Sequence, residues 1–261
     1  MTVVRGVRVA RAIAFDTVRE AWRGRLLWLL AALAAGGFAL SAFLGALALT
    51  ETRQTQAALL AALLRLACAG IVAVFVVASI VREAHDKQAE MLLALPVGRG
   101  AWLLGRLAGF ALLAVLVALP AGLLAATLAD LAQAALWTAG LLCELWIVAT
   151  FAAFCALGMG HAAPALCATA GFYVLARGAA VLQWLAHDAG RHAPDAGQRF
   201  MAAGADAIAF VLPRLDAFAR AEWLLYGTGT AAQLAGVLAQ TAIYLALLAA
   251  ACLVDLHRRP F

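Results

Sequence analysis

Two ionisable side chains, Glu144 and Arg177, stand far inside long apolar stretches of this sequence. In such surroundings a carboxylate and a guanidinium pair with one another, line a path for a polar solute, or take part in proton transfer. Counted from the turn signal near Gly160, Glu144 lies about 24 Å up one helix and Arg177 about 21 Å up the next, at 1.5 Å per residue. The matching depths predict a pair across a helical hairpin, since an unpaired charge at that depth would cost at least about 2.5–3.5 kcal/mol. The pair is read as a structural clamp or as part of a substrate path. A hydrolase centred on Glu144 would need a histidine at hand, and His161 lies about four turns away. His187, Asp188, His192 and Asp195 form a second polar group. They could be read as metal ligands, although four polar residues in one loop need no metal, and none is expected. His85, His161 and His257 fall near the ends of apolar runs, where a solvated role is expected. Cys68, Cys143, Cys155, Cys167 and Cys252 all fall inside apolar runs without a C-x-x-C, so they read as small hydrophobes packed between helices. No G-x-x-x-x-G-K-[ST] loop is present, and the only lysine, Lys87, lacks the required glycines. This chain is therefore not expected to hydrolyse a nucleotide or to bind a cofactor by itself.

The elements that must carry these residues follow from composition. Of the 261 residues, 66% are hydrophobic and only 13% charged, against roughly 45–50% and roughly 25% in soluble domains. That excess must face lipid or other buried helices. A net charge of +5 would suit nucleic acid, but the cations sit beside apolar runs, which is a topology signal; no nucleic-acid partner is expected. Residues 1–25 read as an amphipathic helix in the headgroup plane. Val7, Ala10, Ala14, Val18 and Trp22 form its apolar stripe, with arginines opposite and Phe15 out of place. A solvated helical tail is the alternative, and no cleavable signal peptide is visible. The rest, 26–261, divides into six expected spans: 26–50, 58–81, 101–129 with a kink at Pro120, 131–157, 165–186 and 231–254. Gly158, Gly160 and Pro164 mark a tight turn between the fourth and fifth. Arginines before the first span, four basic residues after the second, and Arg258-Arg259 at the end put both termini in the cytoplasm. The abundant alanine, glycine and arginine hint at a GC-rich bacterial gene.

The most informative segment is the loop 82–100 between the second and third spans. It reads Arg82-Glu83-Ala84-His85-Asp86-Lys87-Gln88-Ala89-Glu90-Met91-Leu92-Leu93-Ala94-Leu95-Pro96-Val97-Gly98-Arg99-Gly100. Asp86 near the start and Pro96 after the end are correct punctuation for a short helix. The apolar knob Met91-Leu92-Leu93-Ala94-Leu95 suits docking into a groove on a soluble partner; packing on its own domain is the alternative reading. Before the last span, residues 187–230 hold two pieces too short to cross. One ends at Leu212-Pro213, and the other carries Leu215, Phe218, Ala219, Leu225 and Tyr226.

The loop motif, followed by Leu103-Leu104-Gly105-Arg106, resembles the cytoplasmic loop of ABC-2 type transporter permeases. Leu212-Pro213-Arg214-Leu215-Asp216-Ala217-Phe218 with Trp223-Leu224-Leu225-Tyr226-Gly227 is similar to the segment before the last span in the multicopper-enzyme-maturation branch of that family. The resemblance implies an all-α integral membrane protein with the ABC-2 type, or type V exporter, fold. That fold has six transmembrane helices, an N-terminal amphipathic interfacial helix, and an external re-entrant hairpin, here 187–230. It implies a permease subunit of an ATP-driven exporter in a bacterial inner membrane, embedded in membrane lipid and paired with a second copy or a paralogous permease. A separate ABC subunit would bind ATP and Mg. Glu83, Asp86, Lys87, Glu90, Met91, Leu92, Leu93 and Arg99 would couple to that subunit. A membrane-embedded enzyme and a non-transporting scaffold are the rival readings.

Overall fold

The chain is described here from a computed structural model, which covers residues 11–17, 19–21, a few positions between 28 and 43, and residues 52–85, 99–127, 129–188 and 196–258. The central helix starts at Asp130, whose carboxylate accepts the Ala132 N–H at 3.3 Å and so takes up one of the first-turn donors. Helix α3, Leu131–Met159, follows α1, Thr52–His85, and α2, Arg99–Ala126. It ends where Gly160 turns left-handed (φ 68°) and returns its N–H to the Ala156 carbonyl. The chain then doubles back as α4, Ala162–Asp188. Pro164, expected in the turn, instead sits in the first turn of α4, where its missing N–H would have had no partner. The remaining elements are α5, Ala196–Val211, a short 3-10 turn at Leu215–Ala217, α6, Ala221–Tyr226, and α7, Ala231–Arg258. No strand occurs among the described residues.

Helix α3 is apolar all round and packs against α1, α2, α4, α6 and α7, as a buried helix should. Its most apolar stretch is 72% buried, against 28% for α4 and 17% for α7. Small residues let the neighbours approach. Gly122 of α2 meets the Thr138 side chain, and Gly109 of α2 leaves room for Thr17 of the N-terminal helix. Among the described residues, α1, α2, α3, α4 and α7 are long and apolar enough to cross a membrane, which makes the chain a helical multi-pass membrane protein. The expected span 26–50 lies outside the described residues apart from a few helical positions. One of these, Gly37, packs beside Leu60, Leu64 and Leu124 of α1 and α2.

The segment between α4 and α7 goes in and comes back. Its first leg, α5, passes the end of α4 in its second half, where Gln183 Nε2 donates to Asp206 at 3.0 Å and His187 stands 3.6 Å from Asp206. The leg ends at Val211, whose carbonyl accepts from Tyr244 in the middle of α7. The return leg reaches Gly229, which exchanges two hydrogen bonds with Gln133 in the first turn of α3.

Candidate functional site

The tip of that segment, residues 212–220, is not α-helical, so its carbonyls need donors from elsewhere. Two arginines supply them. Arg177 Nη1 donates to the Leu215 carbonyl at 2.6 Å, and Arg65 Nη1 donates to the Ala219 carbonyl at 2.8 Å. Both stand near the middle of their helices, α4 and α1. Between them lies Glu144 of α3, fully buried, with Oε2 3.6 Å from Arg177 Nη1. Its other oxygen, Oε1, accepts the Tyr173 hydroxyl at 2.9 Å. The Glu144 carboxylate thus lies within ion-pair distance of Arg177, beside the two guanidiniums that the tip requires. Irregular backbone at membrane depth survives only where the protein satisfies it, and this cluster does so.

The tip is packed as tightly as it is bonded. Leu215, Phe218 and Ala219 are fully buried, Pro213 is buried and Leu212 half-buried. Ala219 takes a left-handed backbone (φ 41°), uncommon for a residue with a side chain. Gly140 of α3 permits the approach: a Cβ there would stand 2.8 Å from the Ala219 nitrogen and 3.3 Å from its Cα. We therefore expect Gly140→Val to expel the tip and lose about 1–3 kcal/mol or more. A lowered melting temperature of the purified chain checks this, and an unchanged one contradicts the packing.

A second polar cluster joins the N-terminal helix to the two helix ends that flank the loop 86–98. Arg106, buried in the first turns of α2, donates to Thr17 Oγ1 at 2.9 Å and to Ser79 Oγ at 2.7 Å. It pairs with Glu83 at 2.9 Å and stands 3.7 Å from Glu20. Ser79 donates to Glu20, Arg82 pairs with Glu20, and the Trp102 indole N–H points at Glu83 at 3.4 Å. Two arginines thus balance two glutamates. The Arg106 guanidinium also stands over the Phe110 ring at 5.4 Å. These bonds set which face of the N-terminal helix turns inward. It is Ala14, Thr17 and Ala21, with Glu20 half-buried; of the expected stripe Ala14 lies on this face, while Val7, Ala10, Val18 and Trp22 lie outside the described residues. Phe15, which breaks that stripe, is 72% exposed.

The sequence-based residues divide accordingly. Glu144 and Arg177 come together, and Leu212, Pro213, Leu215 and Phe218 form the tip they serve. Glu83 turns inward to Arg106, so it braces the loop rather than facing out from it. Asp86, Lys87, Glu90, Met91, Leu92, Leu93 and the Arg99 side chain lie outside the described residues, as do His192, Asp195 and the Asp188 side chain. His187 meets Asp206 and the Gln183 carbonyl, and no group of three or more metal-ligating side chains occurs among the described residues. Four cysteines are buried as expected, but Cys167 is exposed on α4, since only one side of that helix is covered. Arg65, Tyr173, Glu20, Ser79 and Thr17 were not singled out in the sequence. Tyr173 is four residues before Arg177, on the same face, and Arg65 is itself a charge inside a span, so both carried a readable signal. In comparison with known proteins, the chain matches no protein-family model and no curated protein.

Proposed function

We propose that this chain is the transmembrane permease subunit of an ATP-driven ABC-2 type transporter, acting as an exporter and as a dimer beside a separate ATP-binding subunit. The observation that carries this reading is the neutral ion-pair cluster at the base of the loop 86–98. Arg106, Glu83, Glu20 and Arg82 tie the end of α1, the start of α2 and the N-terminal helix into one body. A push delivered to a loop held at such a base moves three helices together instead of bending the loop. The permease-like motif in that loop supplies the surface for the push, with Asp86, Lys87, Glu90, Met91, Leu92, Leu93 and Arg99 against the partner. The non-helical tip at the level of the helix middles also suits a transporter, since sites in such proteins are commonly built where helices are interrupted. In this reading residues 26–50 form a sixth span, 187–230 form an external re-entrant hairpin, and both termini are cytoplasmic in a bacterial inner membrane. ATP and Mg sit on the partner.

A membrane enzyme draws less support. The oxygens of Glu144 meet Tyr173 and Arg177, and no hydrogen bond or ion pair joins it to a histidine among the described residues. Co-expression with a candidate ATP-binding subunit and pull-down on a tag tests the transporter reading. A wild-type complex that is lost in Glu90→Arg and Leu93→Asp is expected. A chain that purifies alone, with no response to either change, contradicts the reading and leaves the enzyme or a scaffold.

A further inference from the structure

Arg177 has two partners and serves only one of them well. Its Nη1 donates to the Leu215 carbonyl at 2.6 Å, while Glu144 Oε2 waits at 3.6 Å. That oxygen is buried and accepts no hydrogen bond, and neither does Asp216 Oδ1, next to Leu215 in the chain. Tyr173 holds the carboxylate by its other oxygen. Beside this, Ala219 keeps a left-handed backbone while its carbonyl takes the Arg65 bond.

We infer that the tip at residues 212–220 is a releasable latch, in which the Leu215 carbonyl and the Glu144 carboxylate compete for Arg177. In the held arrangement the tip buries Leu215, Phe218 and Ala219 and takes both guanidinium-to-carbonyl bonds. On release, Arg177 closes on Glu144 as a charge-assisted pair, Ala219 relaxes to an ordinary backbone, and the buried Asp216 Oδ1 is freed to find a donor, its Oδ2 standing 3.9 Å from Arg214 already. Gains stand on both sides, which is what a two-state element requires. Tyr173 biases it toward the held side by keeping the carboxylate turned away. The inference concerns the chain alone and does not rest on the transport reading.

Hydrogen–deuterium exchange of the purified chain in lipid nanodiscs reads the latch directly, with the peptide 212–220 compared against the middle of α3 and corrected for intrinsic rates. Tyr173→Phe frees the carboxylate to claim Arg177, and tip exchange is expected to rise about three- to tenfold. Glu144→Asp keeps the charge between the arginines but draws the carboxylate back from Arg177, so tip exchange is expected to fall by a similar factor. Ala219→Gly removes the strain of the held form and is expected to slow exchange about two- to fivefold. A plain clamp makes the opposite prediction for Glu144→Asp, because any weakening of the set then loosens the tip. Faster or unchanged exchange in Glu144→Asp overturns the latch. Should that variant fail to fold, Ala219→Gly decides in the same way, with faster or unchanged exchange there overturning it.

Discussion

Glu144→Gln is expected to lower the stability of the purified chain by about 3–5 kcal/mol, because it leaves the buried Arg65 and the half-buried Arg177 without the carboxylate beside them. Arg177→Gln should cost a comparable amount, since it strands the carboxylate and removes the donor to the Leu215 carbonyl. The double variant is expected to be less damaged than the two single losses combined, which is the signature of a direct coupling. Unfolding in mixed micelles, with folded yield as a second readout, measures all three. If each single variant folds as well as wild type, the clamp is wrong and the charges must be kept for some other task. Exposure sharpens the expectation for Glu144: its side chain is 0% accessible, while that of Arg177 is 25% accessible, so the carboxylate has no route to relief by turning outward.

Arg106→Gln should be the most damaging change at the other cluster, again about 3–5 kcal/mol. One planar guanidinium there serves Thr17, Ser79 and Glu83 through two nitrogens and stands over Phe110. Arg106→Lys keeps the charge but offers a point in place of a fork, so it should restore only part of the loss. The melting temperature of the purified chain and proteolytic release of the N-terminal helix check this together. A lysine variant indistinguishable from wild type would mean that charge alone is needed and that the geometry is incidental. With the brace cut, the N-terminal helix should detach first, because among the described residues Thr17 and Glu20 tie it to α1 and α2.

The long helices were legible because lipid imposes a simple code of length and apolarity. The span expected at 131–157 is Leu131–Met159, and that expected at 165–186 is Ala162–Asp188. The span expected at 58–81 is longer at both ends, Thr52–His85, because hydropathy stops at the first polar residues whereas backbone hydrogen bonding does not. The pairing depth of Glu144 and Arg177 could be counted from a turn. Arg65 could not be matched in that way, since its partner is a carbonyl, and every residue has one. The base cluster was hidden for a related reason. Glu20 and Arg106 are far apart in sequence, and nothing in either local pattern announces the other. The Ala219 backbone was unreadable because sequence signals for a left-handed turn point to glycine or asparagine, and here packing against Gly140 overrides that preference.

The order in which the ion partners leave the ribosome has its own consequence. Chains grow at roughly 5–20 residues per second, so Glu144 is made some seconds before Arg177, and the carbonyls of Leu215 and Ala219 come later still. During that interval the carboxylate lacks Arg177, its ion-pair partner, and α3 has α1 and α2 to pack against but not yet α4, α6 and α7. Insertion of α3 and α4 as a single hairpin, swung in together around the Gly160 turn, avoids exposing a lone acid to lipid. The tight turn that looks like a mere corner in the finished fold is thus also what lets a charged helix enter the membrane with its partner already beside it.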